Sequence, residues 1–235
     1  MADPGAPRAA FAPWDRRELP GMFGVVETAR RVGNYKWIEM RLFEALGGWV
    51  ATVPELDVKL VLGRQCYHHA WHAELWNKRL PELREMKTER LTQPPNDAMV
   101  TFVDALRDPE APELTIEKLV GVYRVLLPRK IAAYTFHMNA TSRITDAPTI
   151  RSLKFALQDE LEDWREGEML LQTLIQTPDD VARAARRQQE LEELIRGAGG
   201  ITGPGTLGEI DGSTEPSADA AAAAQEGVQE GVKVG

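Results

Sequence analysis

Six ionisable residues fall at spacings that could bring them together in one buried site. They are Glu39, His69, His72, Lys130, Glu160 and Asp163. His69 and His72 are three positions apart, as are Glu160 and Asp163, so each pair shares one face if its segment is helical. Glu39 precedes His69 by 30 positions, and Lys130 precedes Glu160 by the same number. Two helical hairpins of equal reach would therefore bring all six residues to one level.

The hydrophobic pattern around these residues predicts that they point inward. Each interrupts a mainly apolar stripe that recurs at alternating intervals of three and four, which is the spacing of core-facing positions in packed helices. Glu39, for example, lies between Tyr35 and Leu42 in such a stripe. Burying a charged group is costly unless the group pairs with another or holds an ion. The six residues are therefore expected to pair internally or to bind a metal.

Both solutions are compatible with the charges. Imidazole and carboxylate ligands suit iron, manganese or zinc. We predict one divalent metal, with iron or manganese favoured over zinc, and four ligands: Glu39, His69, His72 and Glu160. The alternative is a metal-free hydrogen-bonded network. The three acids and one lysine of the set leave a charge of −2, which one divalent cation or two protonated histidines would balance equally, so the charge count leaves both open.

The same periodicity predicts an all-α chain with five main helices. Their predicted ranges are 22–50, 55–86, 114–140, 146–176 and 177–197. Residues 87–112 are predicted to form a long crossover that contains a short helix at 98–106. Pro81 should bend or end the second helix, and Pro128 should kink the third.

Composition separates both ends of the chain from the helical region. Residues 1–20 contain four prolines and are predicted to be a flexible arm. Residues 197–235 contain ten of the 19 glycines, no aromatic residue, six acids and one lysine. Such a segment has too little apolar surface to offset the entropy of ordering, so we predict a disordered tail. The predicted folded domain is residues 21–196.

Two segments resemble the dimetal-carboxylate proteins of the ferritin-like superfamily. Residues 64–75, RQCYHHAWHAEL, resemble the family's second helix, in which an acidic pair, two spacers and His-Ala-Glu-Leu recur. Residues 158–163, QDELED, resemble its fourth helix, where Asp-Glu-x-x-His is usual. Over residues 22–176 the resemblance implies a ferritin-like four-helix bundle, built from two helical hairpins joined by a long crossover. The fifth helix, which has Val181, Ala184, Leu191 and Ile195 on one side, would then pack outside the bundle or meet a partner.

The family places one Glu on each of two helices and Glu-x-x-His on each of the other two. This chain matches the pattern at Glu39, His72 and Glu160. His69 stands where the first bridging Glu is expected. Lys130 and Asp163 replace the Glu and the final His that would hold a second metal. The resemblance therefore implies a single-metal site, with Lys130 and Asp163 as an ion pair in place of the second ion.

Three further residues are candidates for a pocket beside the site: Tyr35, Tyr123 and His137. They lie on the same core-facing stripes, and ordinary core packing is the alternative for both tyrosines. His137 is two helical turns from Lys130, so we predict a satisfied core or pocket histidine and not a ligand.

The resemblance and the candidate ligands imply a metal-dependent oxidoreductase or oxygenase that acts on a small molecule. No catalytic residue is assigned from the sequence. The alternative is a non-catalytic ferritin-like protein, whose buried polar layer fixes the register of the helices. In either case the fifth helix and the tail are candidates for contacts with a second copy or another protein.

Composition also excludes several partners. The net charge of −8 and the lack of a nucleic-acid motif argue against nucleic-acid binding. No apolar run is long enough to predict a membrane span. The first residues lack the features of a secretory signal, and a single cysteine, Cys66, suits a reducing compartment. We therefore predict a cytoplasmic protein.

Overall fold

The computed structural model describes residues 23–83 and 88–204. This part of the chain is all-helical and contains no β-strand, which confirms the predicted all-α class. Its α-helices are α1 (Val25–Thr52), α2 (Leu56–Leu83), α3 (Thr88–Leu91), α4 (Asp97–Arg107), α5 (Thr115–Val120), α6 (Leu127–Ala140), α7 (Ala147–Leu174) and α8 (Pro178–Gly197). A π-helix, Gly121–Leu126, joins α5 to α6 without a break. We call these three joined segments the third long helix.

The predicted helix boundaries agree with the structure to within a few residues, and side-chain caps define the starts of two of these helices. Thr177 accepts a hydrogen bond from the backbone of Asp180, and the Asp180 carboxylate accepts one from the backbone of Thr177, so α8 begins with a capping box. Asn96 caps α4 by accepting from the backbone N–H of Met99. The short helix predicted at 98–106 is α4.

The third long helix contains a π-helical turn just before Pro128, where the sequence predicts a kink. Proline has no N–H to donate and its ring crowds the preceding turn, which disfavours regular α-helical bonding there. The N–H of Leu127 instead donates to the carbonyl of Val122, five residues earlier. Within this turn the ring of Tyr123 packs so closely on α7 that a Cβ at Gly167 would lie 2.1 Å from it. Glycine at position 167 is therefore required for this contact.

The long helices pack so that their midpoints face one another. Helix α1 packs along α2, α7 packs against α6, and α2 also contacts α7. The crossover returns over α1, where the backbone of Leu91 approaches Gly33 and the side chain of Asn34 donates to the carbonyl of Gln93. These contacts position the central turns of α1, α2, α6 and α7 around one buried volume.

Helix α8 packs against α4, α5 and the π-helix of the same chain. Ala184, Leu191 and Ile195 are buried there, as the predicted apolar side requires. Val181, which we assigned to that side, is instead 56% exposed. It lies in the first turn of the helix, outside the contact with α4.

The packed part of the chain extends beyond residue 197, where the tail was predicted to begin. Ala198, Ile201 and Thr202 are buried. Asn96, the N-cap of α4, donates to the carbonyl of Ala198, and Arg30 of α1 donates to the carbonyl of Thr202. These two hydrogen bonds attach residues 198–202 to the start of α4 and to α1. The predicted arm (1–20) and residues 205–235 of the predicted tail lie outside the described residues. Within the described ranges, no helix has the length and apolar character needed to cross a membrane.

Candidate metal centre

Five of the six predicted site residues form one buried layer between the long helices. Helix α1 contributes Glu39, α2 contributes His69 and His72, α6 contributes Lys130, and α7 contributes Glu160. All five are 0% exposed. The 3–4 spacing of the stripes thus predicted correctly which positions face the core.

Lys130 bridges the two carboxylates of the layer. Its Nζ donates to Oε2 of Glu39 at 2.8 Å and to Oε1 of Glu160 at 2.5 Å. Burial disfavours the charged lysine, but the carboxylates of Glu160 and Glu39 outweigh this and raise the pKa of Lys130 above its ordinary value. Burial likewise opposes ionisation of the acids, and the ammonium of Lys130 nevertheless lowers the pKa of both. The three groups are therefore charged together.

The two histidines approach the same carboxylates from α2. Nδ1 of His69 lies 2.8 Å from Oε2 of Glu39. Nδ1 of His72 lies 3.4 Å from Oε1 of Glu160, and its Nε2 lies 3.1 Å from Oδ2 of Asp159. Burial would lower the pKa of His72, but the hydrogen bond to Asp159 and the nearby carboxylates of Glu160 and Glu39 raise it to about 9.

Four residues of the layer are placed so that they could hold a metal ion together. Glu39, His69, His72 and Glu160 each offer one ligand atom, and these atoms lie within 4.8 Å of one another. Three buried atoms of the layer have no hydrogen-bond partner: Nε2 of His69, Nδ1 of His72 and Oε2 of Glu160. Buried polar atoms are rarely left unpaired, and a bound cation would satisfy atoms of this kind. The residues therefore fit a single metal ion.

The predicted ion pair between Lys130 and Asp163 is wrong. Lys130 is bonded to Glu39 and Glu160, and the carboxylate of Asp163 instead accepts from Nδ1 of His68 at 2.9 Å. Asp163 lies almost one helical turn beyond Glu160, at the edge of the layer, where it contacts the partly exposed imidazole of His68.

Sequence reasoning missed two residues that bond to the layer. The hydroxyl of Tyr134 donates to Oε1 of Glu39 at 2.6 Å, and Asp159 accepts from His72. Tyr134 follows Lys130 by four positions and so lies on the same face of α6. Asp159 directly precedes Glu160, and its side chain is 28% exposed. Its place in the QDELED segment was the signal available for finding it.

The three candidate pocket residues do not line one pocket. The hydroxyl of Tyr35 lies 3.0 Å from Nδ1 of His137, while the hydroxyl of Tyr123 donates to Oε1 of Gln65 at 2.6 Å. Tyr123 precedes Lys130 by seven residues and His137 follows it by seven, so they lie about 10 Å to either side of the layer. All three are fully buried. Packing in the core, the alternative for the tyrosines, therefore describes them better.

His137 gives rise to a pH dependence of stability. Burial and the nearby charge of Arg31 lower the pKa of His137 to about 4, against the weaker opposite influence of Asp146 and Glu27. Since the folded state disfavours the proton, the contribution of His137 to stability is complete above pH 6.5 and is lost as the pH falls towards 4. We expect the unfolding free energy from urea titrations to decline less steeply over this range in His137→Asn than in the wild type. Equal slopes for the two proteins would contradict a neutral, buried His137.

Comparisons with protein-family models, with curated proteins and with solved structures give no match to this chain. The resemblance to the ferritin-like superfamily therefore depends on the two segments and the site residues alone. Function has to be argued from the chemistry of the buried layer.

Proposed function

We propose that this protein is a metal-dependent oxidoreductase or oxygenase of ferritin-like type that acts on a small molecule. In this proposal the two hairpins, α1 with α2 and the third long helix with α7, form a ferritin-like four-helix bundle joined by the crossover. One divalent ion, iron or manganese in preference to zinc, is held in the bundle core. The protein ligands are Glu39, His69, His72 and Glu160.

The arrangement of His72 carries the proposal. Its Nε2 is bonded to Asp159, and its Nδ1 is buried, unpaired and directed towards the carboxylate oxygens of Glu160 and Glu39. A histidine that binds a metal through one nitrogen commonly donates its other N–H to a carboxylate, which fixes the ring and increases its basicity. The raised pKa of His72 keeps the imidazole protonated at neutral pH when no metal is bound, so metal binding would displace a proton.

The remaining groups of the layer prepare the site. Lys130 fixes one oxygen of each carboxylate, and Tyr134 fixes the second oxygen of Glu39. Glu160 keeps one buried oxygen free for a ligand bond. With neutral histidines, the three carboxylates of Glu39, Asp159 and Glu160 and the ammonium of Lys130 leave a charge of −2, which one divalent ion would neutralise.

A bound iron or manganese ion would supply redox chemistry and the activation of dioxygen. The protein would supply the rest. The ligands come from rigid helices, so their geometry is set before the ion arrives, and the apolar residues above and below the layer exclude bulk water. The ammonium of Lys130 binds both carboxylates and lies 3.4 Å from Nδ1 of His69, so a second cation would have to compete with it for the same oxygens.

Dioxygen uptake tests this function. Protein loaded with one equivalent of ferrous ion without oxygen, and then mixed with aerated buffer and ascorbate, should consume dioxygen faster than ferrous ion alone. Glu160→Gln should reduce the excess rate by at least about tenfold, since changes even outside the ligand set commonly cost that much. Asp163→Asn, a matched change on the same helix outside the ligand set, should retain it. A wild-type rate equal to that of free ferrous ion would exclude this activity.

A non-catalytic ferritin-like protein is the second candidate, and one observation favours it. Lys130 already bridges Glu39 and Glu160, so the layer contains its own cation and can hold four helices in register without a metal. In this case the protein purified from metal-replete cells would contain no stoichiometric metal, and ferrous ion would not bind.

A further inference from the structure

A second candidate site lies at the end of the helices where α6 leads into α7. A cavity of about 600 Å³ opens there between the last residues of α6, the following loop and the first two turns of α7. Its lining combines three cations, Arg143, Arg151 and Lys154, with the apolar side chains of Met138, Ala147 and Ile150 and the amide of Asn139. The volume is within the range of sites that hold small organic molecules.

Within residues 23–83 and 88–204, the three cations of this cavity have no acidic partner. In this part of the chain the side chains of Arg143, Arg151 and Lys154 form no ion pair and no hydrogen bond, and the guanidinium of Arg151 lies over the ring of Phe155. Arg124 and Arg183, by contrast, pair with Glu168 and Glu117. In a chain with a net charge of −8, three unpaired cations around one concavity form a distinct positive site.

The distribution of charge along α7 also makes the surroundings of the cavity positive. Residues 147–158 carry two cations and no acid, whereas residues 159–168 carry six acids. The nearest acid, Asp146, is largely buried and occupied by Arg79, Thr141 and Thr149. The positive charge of the cavity is therefore not neutralised within the described structure.

We infer that this cavity binds a small organic anion, with a phosphate or carboxylate group on the cations and an apolar body against Met138, Ala147 and Ile150. Guanidinium groups suit both anions, because they can donate two parallel hydrogen bonds. Met138 follows Lys130 by eight residues, which places the cavity about 12 Å along the helix from the buried layer. The site is therefore separate from the metal centre, and its existence does not depend on the proposed function.

Calorimetric titration of the full chain tests this inference. Phenyl phosphate and benzoate carry the two anionic groups on the same apolar ring, so together they show which group the cavity prefers. At least one of them should bind saturably, with about one molecule per chain. Arg151→Gln with Lys154→Gln should weaken binding of the preferred probe by about tenfold or more, since it removes two of the three cations that would donate charge-assisted hydrogen bonds to the anion. Both side chains are exposed, so this variant should fold normally.

Arg165→Gln is the matched control, because Arg165 is exposed on the same helix but does not line the cavity. It should bind the probe like the wild type, and added salt should weaken binding in both. Saturable binding of neither probe, or equal binding in the double variant, would overturn the inference. If a probe bound only after deletion of residues 205–235, this acidic segment would be the occupant of the cavity in the full chain. That result would also overturn the inference.

Discussion

Replacement of Lys130 by methionine is expected to destabilise the metal-free protein by about 3–5 kcal/mol, the usual cost of breaking a buried ion pair from one side. Methionine preserves most of the volume but removes the ammonium that binds Glu39 and Glu160. Two carboxylates that are 0% exposed would then repel each other without a compensating cation. Urea unfolding of protein dialysed against a chelator measures this loss.

A charge-neutral variant separates the effect of charge from that of packing. Lys130→Met combined with Glu39→Gln and Glu160→Gln removes all three charges and keeps similar volumes, so it should recover a large part of the lost stability. Lys78→Met, at a 72% exposed lysine paired with Glu74, should change stability by less than about 1 kcal/mol. If Lys130→Met also changed the free energy of unfolding by less than about 1 kcal/mol, the lysine would not be the internal cation of the layer.

The positions of the helices and of the layer could be predicted because they depend on periodicity. The 3–4 spacing identified the inward faces, and the equal separation of Glu39 from His69 and of Lys130 from Glu160 placed them at one level. The burial of all five layer residues follows from those two regularities. The Thr177–Asp180 capping box is likewise a local feature, since both residues lie within one turn of the start of α8.

The partners within the layer could not be predicted in the same way. Lys130 has a long, flexible side chain, and the sequence does not say which of several nearby acids it reaches. The contacts of Asp159 and Tyr134 depend on the rotation of α7 and α6 relative to their neighbours. The packing of Ala198, Ile201 and Thr202 depends on distant acceptors and donors in α1 and α4, which composition alone does not show.

Replacement of His72 by alanine is expected to abolish metal binding while preserving the helices. The change removes the ligand atom whose orientation Asp159 fixes, and it leaves only one imidazole in the set. Loss of one ligand from a four-residue site, together with its supporting carboxylate contact, should reduce metal affinity by far more than about tenfold. Far-ultraviolet circular dichroism should show unchanged helical content.

His68→Ala is the matched control for this change. His68 is on the same helix, four residues before His72, but its imidazole bonds to Asp163 at the edge of the layer and is 23% exposed. It should keep the metal content of the wild type. A His72→Ala protein with a full metal load would show that the ligand set is wrong.

The most direct test of a single-metal centre is the metal content of the wild-type chain, purified without an affinity tag or chelator from cells supplied with iron and manganese. Elemental analysis by mass spectrometry should find about one equivalent of iron or manganese per chain, as expected for a site with four protein ligands and one internal lysine. A total below about 0.1 equivalent of all transition metals would contradict a metal centre and would identify the layer as a metal-free polar network.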